Sequence, residues 1–317
     1  MSKKNIKLIV TGKLEEKGLS DALALLFPNA NFLPPQYVDG FTSNPIRFPF
    51  QQNSRVHKVA KALVAAVFPE RHSSRPISAD MAILVEDIEL DHMDTPEDIT
   101  RLLHDAVRYV LFDEAESSMN QRKMDERIRR VREQCSFHLL SPMMESYFFA
   151  SFSALAAAGV QMSFPPSEGL RPFDPPRVPM ICPQHPDLES FQVIPSEGTV
   201  EQPAYAERMF AQDLARRDSQ PFSLEFHPKK YLEYLCNPQK KRKSKYKETK
   251  AGVKALRHLT QNNWQQLLGA GLSLPYLGAM LEDIADCMGV QSPYHEKVAP
   301  LTGVYDGDTR DRILRNI

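Results

Sequence analysis

The sequence predicts an α/β fold: a mostly parallel sheet flanked by helices, followed by a helical C-terminal part. Three observations predict it. Apolar runs of strand length recur at 6–10, 81–85 and 136–140. Between and after them lie longer stretches whose apolar residues fall at helical spacing. Strands that alternate with helices are joined by crossovers, and crossovers make a parallel sheet with helices on its faces.

Ile6–Val10 is a β-branched run stopped by Thr11 and Gly12, the pattern of a buried strand ending at a turn. From Glu15 to Phe27, the residues Leu19, Ala22, Leu23, Leu26 and Phe27 share one helical face. Residues 28–54, rich in Pro, Asn and aromatic side chains, read as a long surface excursion. His57–Phe68 is a second helix with Val59, Leu63, Ala66 and Val67 on one side. After a breaker-rich stretch, Met81–Val85 is a second buried strand that runs into Glu86, Asp87, Ile88, Glu89, Leu90 and Asp91. Pro96 followed by Glu97 and Asp98 suits a helical first turn, so a helix is expected over 96–112. The charge density of 113–134 indicates a solvated helix. Ser136–Leu140 is a third strand, and Ser141–Pro142 opens a helix that carries Glu145 among Met143, Met144, Tyr147, Phe148 and Phe149.

The chain then changes character. Prolines recurring from Pro165 to Pro195 disfavour regular structure. Three segments follow: an α/β core at 1–155, a Pro-rich irregular insertion or linker at 156–204, and a helical, lysine-rich part at 205–317. Helical patterns in the last fall at 204–217, 228–236, 248–268 and 275–289, and they are expected to complete the helices covering the sheet. The polar stretch Tyr305–Arg312 is expected to be peripheral.

Composition removes several function classes. A formal net charge of -1 over 317 residues gives no global field to draw the chain onto nucleic acid or an anionic membrane, so such binding needs a local patch. No run approaches the roughly 18 apolar residues of a membrane span. The N-terminal apolar run is too short for a signal-peptide core, so a cytoplasmic location is expected. Cys135, Cys182, Cys236 and Cys287 form no C-x-x-C pair, which argues for reduced thiols against a zinc knuckle or disulfide framework. Neither G-x-S-x-G nor a P-loop occurs, so hydrolase-elbow and NTPase readings lack support.

In an open parallel sheet, functional groups collect beyond the carboxyl ends of the strands. Asp87 and Glu89 are two residues apart and project to one side of an extended segment. Such a pair can hold Mg²⁺, which takes one or two carboxylates plus waters and substrate phosphates; it can equally be an ordinary acidic loop. Glu145, an acid among large apolar side chains, is either a functional carboxylate or an acid favoured in a helical first turn. Lys240, Lys241, Arg242, Lys243, Lys245 and Lys247, with Tyr246 among them, form the strongest cationic run. It can neutralise phosphates and stack on bases, or it can be a solvated loop between helices.

Several of these segments resemble a known family. Val10-Thr11-Gly12-Lys13-Leu14-Glu15-Glu16 resembles the V-E-G-x-x-E opening of Toprim-type domains, and Ile83–Glu89 resembles their second strand, which ends in D-x-D. His138–Phe149 is similar to the P-x-x-E-[AS]-x-[FL]-F segment of bacterial proteins that share the domain of unknown function numbered 4276. Tyr246–Gly252 resembles their later Y-x-[KE]-x-x-x-G stretch. The resemblance implies a Rossmann-like, Toprim-type fold using carboxylates and Mg²⁺ for phosphodiester cleavage or transfer on nucleic acid. It also implies an ATPase partner in bacterial defence or DNA processing. Asp87 and Glu89 would then ligate the metal, Glu145 would assist or ligate, and the lysine-rich run would bind the phosphate backbone. Thr11 stands where the family carries the glutamate that acts as general acid/base, a role threonine cannot fill at neutral pH. Either Glu15 or Glu16, a helical turn later, takes its place, or the chain is a catalytically inactive Toprim-like binding or scaffold subunit.

Overall fold

The computed structural model describes residues 3–68, 78–113, 120–160, 188–189, 228–236, 246–259, 268, 273–294 and 312–317. The chain divides into two compact units, Met1–Ser141 with Leu274–Ile317, and Pro142–Ser273.

The first unit is the α/β core. Its sheet contains β1 (Lys4–Val10), β2 (Ala30–Tyr37), β3 (Met81–Asp87) and β4 (Cys135–Leu140), all parallel in the order β2-β1-β3-β4. The register aligns Val10 with Val85, and Asp87 with Leu140. Helices α1 (Lys13–Leu26), α2 (Arg55–Ala66), α3 (Pro96–Phe112) and α4 (Gln121–Gln134) provide the crossovers. This is the α/β architecture with a parallel sheet that the alternation predicts, and it is consistent with a Rossmann-like fold.

Period-two alternation divides each strand between two buried layers. Ile9, Ala82, Leu84, Phe137 and Leu139 join one core with Val59, Leu63, Leu103 and Val107 of α2 and α3. Leu8, Val10, Ile83 and Val85, which alternate with them, are also fully buried. Helix α1 packs on β1 and β2, placing its buried Leu14, Leu19 and Leu23 inward. At about 1.5–3 kcal/mol for each fully buried large aliphatic side chain, these layers dominate the unit's stability.

One strand departs from the sequence reading. Residues 30–37, expected within a surface excursion, form β2 despite Pro34 and Pro35. Proline removes a ladder donor and is tolerated on an edge strand, and among the described residues β2 pairs with β1 alone. The residues after the polar stretch 305–312 are packed into the unit. Residues 305–311 lie outside the described residues, but Ile313, Leu314, Asn316 and Ile317 are buried. The Arg315 amide donates to the Cys135 carbonyl (2.8 Å). The Asn316 carboxamide accepts from the Phe137 amide (3.1 Å) and donates to the Phe137 carbonyl (2.5 Å). A side-chain amide thus continues the ladder along the free edge of β4.

Behind that edge, α7 (Pro275–Met288) packs on β4 and ends at Gly289, whose φ of 65° is the left-handed conformation that glycine adopts freely. It buries Asp283 against His138 (3.0 Å), and the Arg315 guanidinium adds 2.9 and 2.7 Å bonds to Asp283 and Asp286. Burial alone would push the Asp283 carboxyl up, but the His138 bond and the Arg315 charge outweigh it and hold it below its ordinary value. Helices α5 (Phe152–Ala158) and α6 (Pro228–Cys236) belong to the second unit.

In that second unit the helix expected after Ser141–Pro142 is a 3-10 helix, Met144–Ala150. Met143 is still extended, and Ser146 donates both its amide and its hydroxyl back to the Met143 carbonyl, which tightens the turn. A π-helical turn, Glu248–Gly252, leads into helical residues 253–259. Cys135 and Cys236 are buried free thiols and Cys287 is a half-buried one; Cys182 lies outside the described residues. Among the described residues, no helix is long and apolar enough to cross a membrane.

Candidate functional site

The strand order reverses direction between β1 and β3: the chain passes from β1 out to β2, then returns to β3 on the other side. Carboxyl-end crevices at such a switch point are where open α/β sheets bind ligands. Thr11 and Gly12 follow β1 there, and Glu86 and Asp87 close β3. The loop after β2 comes to the same place.

Glu86 is the centre of this arrangement. It follows Ala82 and Leu84 on the face of β3 that packs against α2 and α3, and it is 2% exposed. One oxygen, Oε1, accepts from the Phe41 amide (3.0 Å), the Thr42 amide (3.1 Å) and the Thr42 hydroxyl (2.7 Å). The other, Oε2, is buried with no hydrogen-bond partner among the described residues. Burial pushes this carboxyl up to about 7, against the opposing pull of Thr42, Thr11 and the Phe41 amide. Its proton therefore exchanges near neutrality. The Thr11 hydroxyl donates to the Val85 carbonyl (3.3 Å), tying β1's exit to β3.

The loop that supplies the donors is itself braced. Arg55, at the start of α2, donates to the Gly40 carbonyl and the Ser43 hydroxyl, both at 3.2 Å. The His92 ring nitrogen Nε2 lies 3.1 Å from the Asn44 carbonyl. Gly40 has no room for a side chain: a Cβ there would sit 2.8 Å from Glu86 Oε1 and 3.2 Å from the Thr11 Cβ.

The residues singled out from sequence occupy different positions. Asp87 and Glu89 lie at and just beyond the end of β3, both half-buried. Glu89 has φ 62° and ψ 155°, a backbone region that favours glycine. Glu15 is buried, 3% exposed, with its carboxylate folded over Gly12, so that a Cβ on Gly12 would collide with Oε2. It occupies the third helical position after the Gly12 cap, where an acid complements the helix start. Glu16 faces outward and pairs with Lys13 (3.2 Å).

Glu145 belongs to the second unit, where it is buried and accepts a 2.9 Å bond from the Tyr246 hydroxyl. Burial raises its pKa, while the Lys229 charge and the Tyr246 bond oppose the rise. Lys229 itself pairs with Glu248 (2.6 Å). Lys240, Lys241, Arg242, Lys243 and Lys245 lie outside the described residues, and Lys247 is exposed. The Tyr246 ring is 4% exposed and so packs inside the unit instead of offering a stacking face.

The sequence reading named Glu86 only as part of an acidic run. Met81–Val85 is apolar at every position and buried on both faces, so the sequence carries no alternation that separates Glu86 from its neighbours. Thr42 and Gly40 carried no signal either, because they come from a loop with no periodic pattern. Among the described residues, no three His, Cys, Asp or Glu side chains gather as a metal-holding group. Comparison of the chain with known protein families, with curated proteins and with solved structures finds no match.

Proposed function

We propose that the carboxyl end of β3, beside Thr11 and Gly12, is the site of a Toprim-like, Mg²⁺-assisted cleavage or transfer at a phosphodiester of nucleic acid. The observation that carries the reading is Glu86: a buried carboxyl at the switch point, saturated with donors on one oxygen and unpartnered, among the described residues, on the other. A buried acceptor without a partner is costly in a purely structural position. It fits a site that a ligand completes.

Asp87 and Glu89 are the residues that would hold the ion, a donor set that suits Mg²⁺ because that ion needs only one or two carboxylates. When bound, it would supply electrostatic stabilisation to the phosphoryl oxygens. Glu86 takes the proton-handling role that Thr11 cannot fill, since its pKa of about 7 lets it accept and return a proton at neutral pH. Glu15, folded over Gly12, shapes the start of α1. Glu145 as an assisting acid, the lysine-rich run at 240–247 as a backbone contact, and an ATPase partner in bacterial defence enter through the family resemblance alone.

A second reading is a catalytically inactive binding subunit, favoured by Thr11, which stands where an acid would serve as general acid/base. Calorimetric titration of Mg²⁺ and Mn²⁺, paired with a nucleic-acid cleavage assay, separates the two. The wild type is expected to bind and cleave, and the Asp87→Ala, Glu89→Ala double variant to lose both while staying folded. Cleavage that persists undiminished in the variant would sink the assignment; no metal binding and no cleavage by the wild type would leave the binding-subunit reading.

A further inference from the structure

We propose that the flank of α4 bearing Lys123, Arg127 and Arg130 is a docking surface for the phosphate backbone of a nucleic acid. The proposal rests on the reading of nucleic acid as the substrate and adds a binding face outside the lysine-rich run.

Helix α4 contributes little to the core, for Val131 is its only buried residue. Its sequence holds six cations and three carboxylates, in a chain whose formal net charge is -1. The carboxylates are already engaged: Arg129 bonds Glu126 (3.1 Å) and Glu133 (2.7 Å), and Gln121 donates to Asp125 (2.8 Å). Lys123, Arg127 and Arg130 are four and three residues apart, so they share one flank, which Glu126 borders beside Arg130. Lys123 and Arg127 have no carboxylate partner among the described residues, and Arg130 has only a 3.7 Å contact with Glu126.

The flank is also held in place. The guanidinium carbons of Arg127 and Arg130 lie 5.9 and 5.6 Å from the Phe68 ring centroid, and Arg130 donates to the Val67 carbonyl at the end of α2 (3.4 Å). Guanidinium groups set against a ring lose less freedom on meeting a phosphate than mobile ones. Lys123 and Arg130 are about 10 Å apart along the helix axis, enough to meet successive phosphates of one strand.

The test is fluorescence anisotropy with labelled single-stranded and duplex DNA about 20 nucleotides long, in chelator, across about 50–200 mM salt. The Lys123→Gln, Arg127→Gln double variant is expected to bind about tenfold more weakly at the low end, with a salt slope smaller by about 2. Lys123→Gln alone, at an exposed position, is expected to show half of that change in slope. An Arg122→Gln, Arg132→Gln control loses the same charge from other parts of the helix and is expected to bind like the wild type. Equal binding by the α4 double variant, or an equal loss in the control, overturns the docking face while leaving nucleic acid as substrate. No salt-dependent binding by the wild type overturns both. Weakened binding by the double variant together with a failure of metal-dependent cleavage supports the face and rejects the catalytic reading.

Discussion

The Thr42 hydroxyl donates a 2.7 Å hydrogen bond to Oε1 of Glu86, with the Thr42 and Phe41 amides converging on the same oxygen. The end of the central strand β3 is thereby fastened to the loop after β2, and a carboxyl group is the fastener. Because burial lifts that carboxyl to about 7, folding favours its protonated form. The stabilisation is complete below its unfolded value near 4.5 and is lost as pH rises through 7. The loss amounts to about 3 kcal/mol in all. Glu86→Gln is neutral at every pH, so chelator-treated wild type and variant, compared by denaturant unfolding, should shift in the variant's favour by about that amount between pH 5 and 8. A constant difference would show that Glu86 does not titrate in this window.

Gly40 sets the distance between the loop and Glu86. An alanine there puts a Cβ 2.8 Å from Oε1 and 3.2 Å from the Thr11 Cβ, and neither neighbour can retreat without giving up a bond to the loop or to β3. Gly40→Ala is expected to cost about 1–3 kcal/mol of unfolding free energy. It should also flatten the pH dependence described for Glu86, because the displaced carboxyl gains water. An unchanged pH profile together with unchanged stability would mean that the loop adjusts freely.

The parts of this architecture that were legible in the sequence are those with a period. Ile6–Val10, Met81–Val85 and Ser136–Leu140 are largely apolar strands, buried on both faces apart from Lys7, and the helix expected at 96–112 is α3, residue for residue. What escaped has no period. β2 carries two prolines and a half-exposed pattern because it is an edge strand with, among the described residues, a single partner. Asn316 completes the β4 ladder through its side chain, which no propensity reports. At the candidate site, the acidic run after β3 was visible, but its division into a fully buried Glu86 and a half-buried Asp87 depends on where the strand ends. The donors that make Glu86 distinctive are brought from 44 and 45 residues away by the fold.

Asn316 therefore provides a local test of how the β4 edge is closed. Asn316→Ala removes both bonds and leaves the Phe137 amide and carbonyl buried without their partner, at a cost of about 1–3 kcal/mol. Amide exchange at Phe137 should accelerate by the same free energy. Asp283→Ala is the harsher change: it leaves the buried His138 without its carboxylate, takes one of the two carboxylates from Arg315, and is expected to cost about 3–5 kcal/mol. Since Asp283 is held below its ordinary value of 3.8, its share of stability is present above that value and fades as pH falls through its folded pKa.

Glu89 offers a way to separate folding from function at the proposed metal site. Its φ of 62° and ψ of 155° cost an L-residue about 1–3 kcal/mol, and glycine carries no such penalty. Comparing Glu89→Gly with Glu89→Ala cancels the loss of the carboxylate and isolates the backbone. The glycine variant should be the more stable by about 1 kcal/mol or more in denaturant unfolding. Both variants should bind Mg²⁺ more weakly than the wild type, because both lack a ligand. Greater stability with weaker metal binding in Glu89→Gly would identify the strained conformation as one kept for the position of the carboxylate. Equal stability of the two variants would mean that the backbone stores no strain there, and undiminished Mg²⁺ binding in both would remove Glu89 from the ligand set.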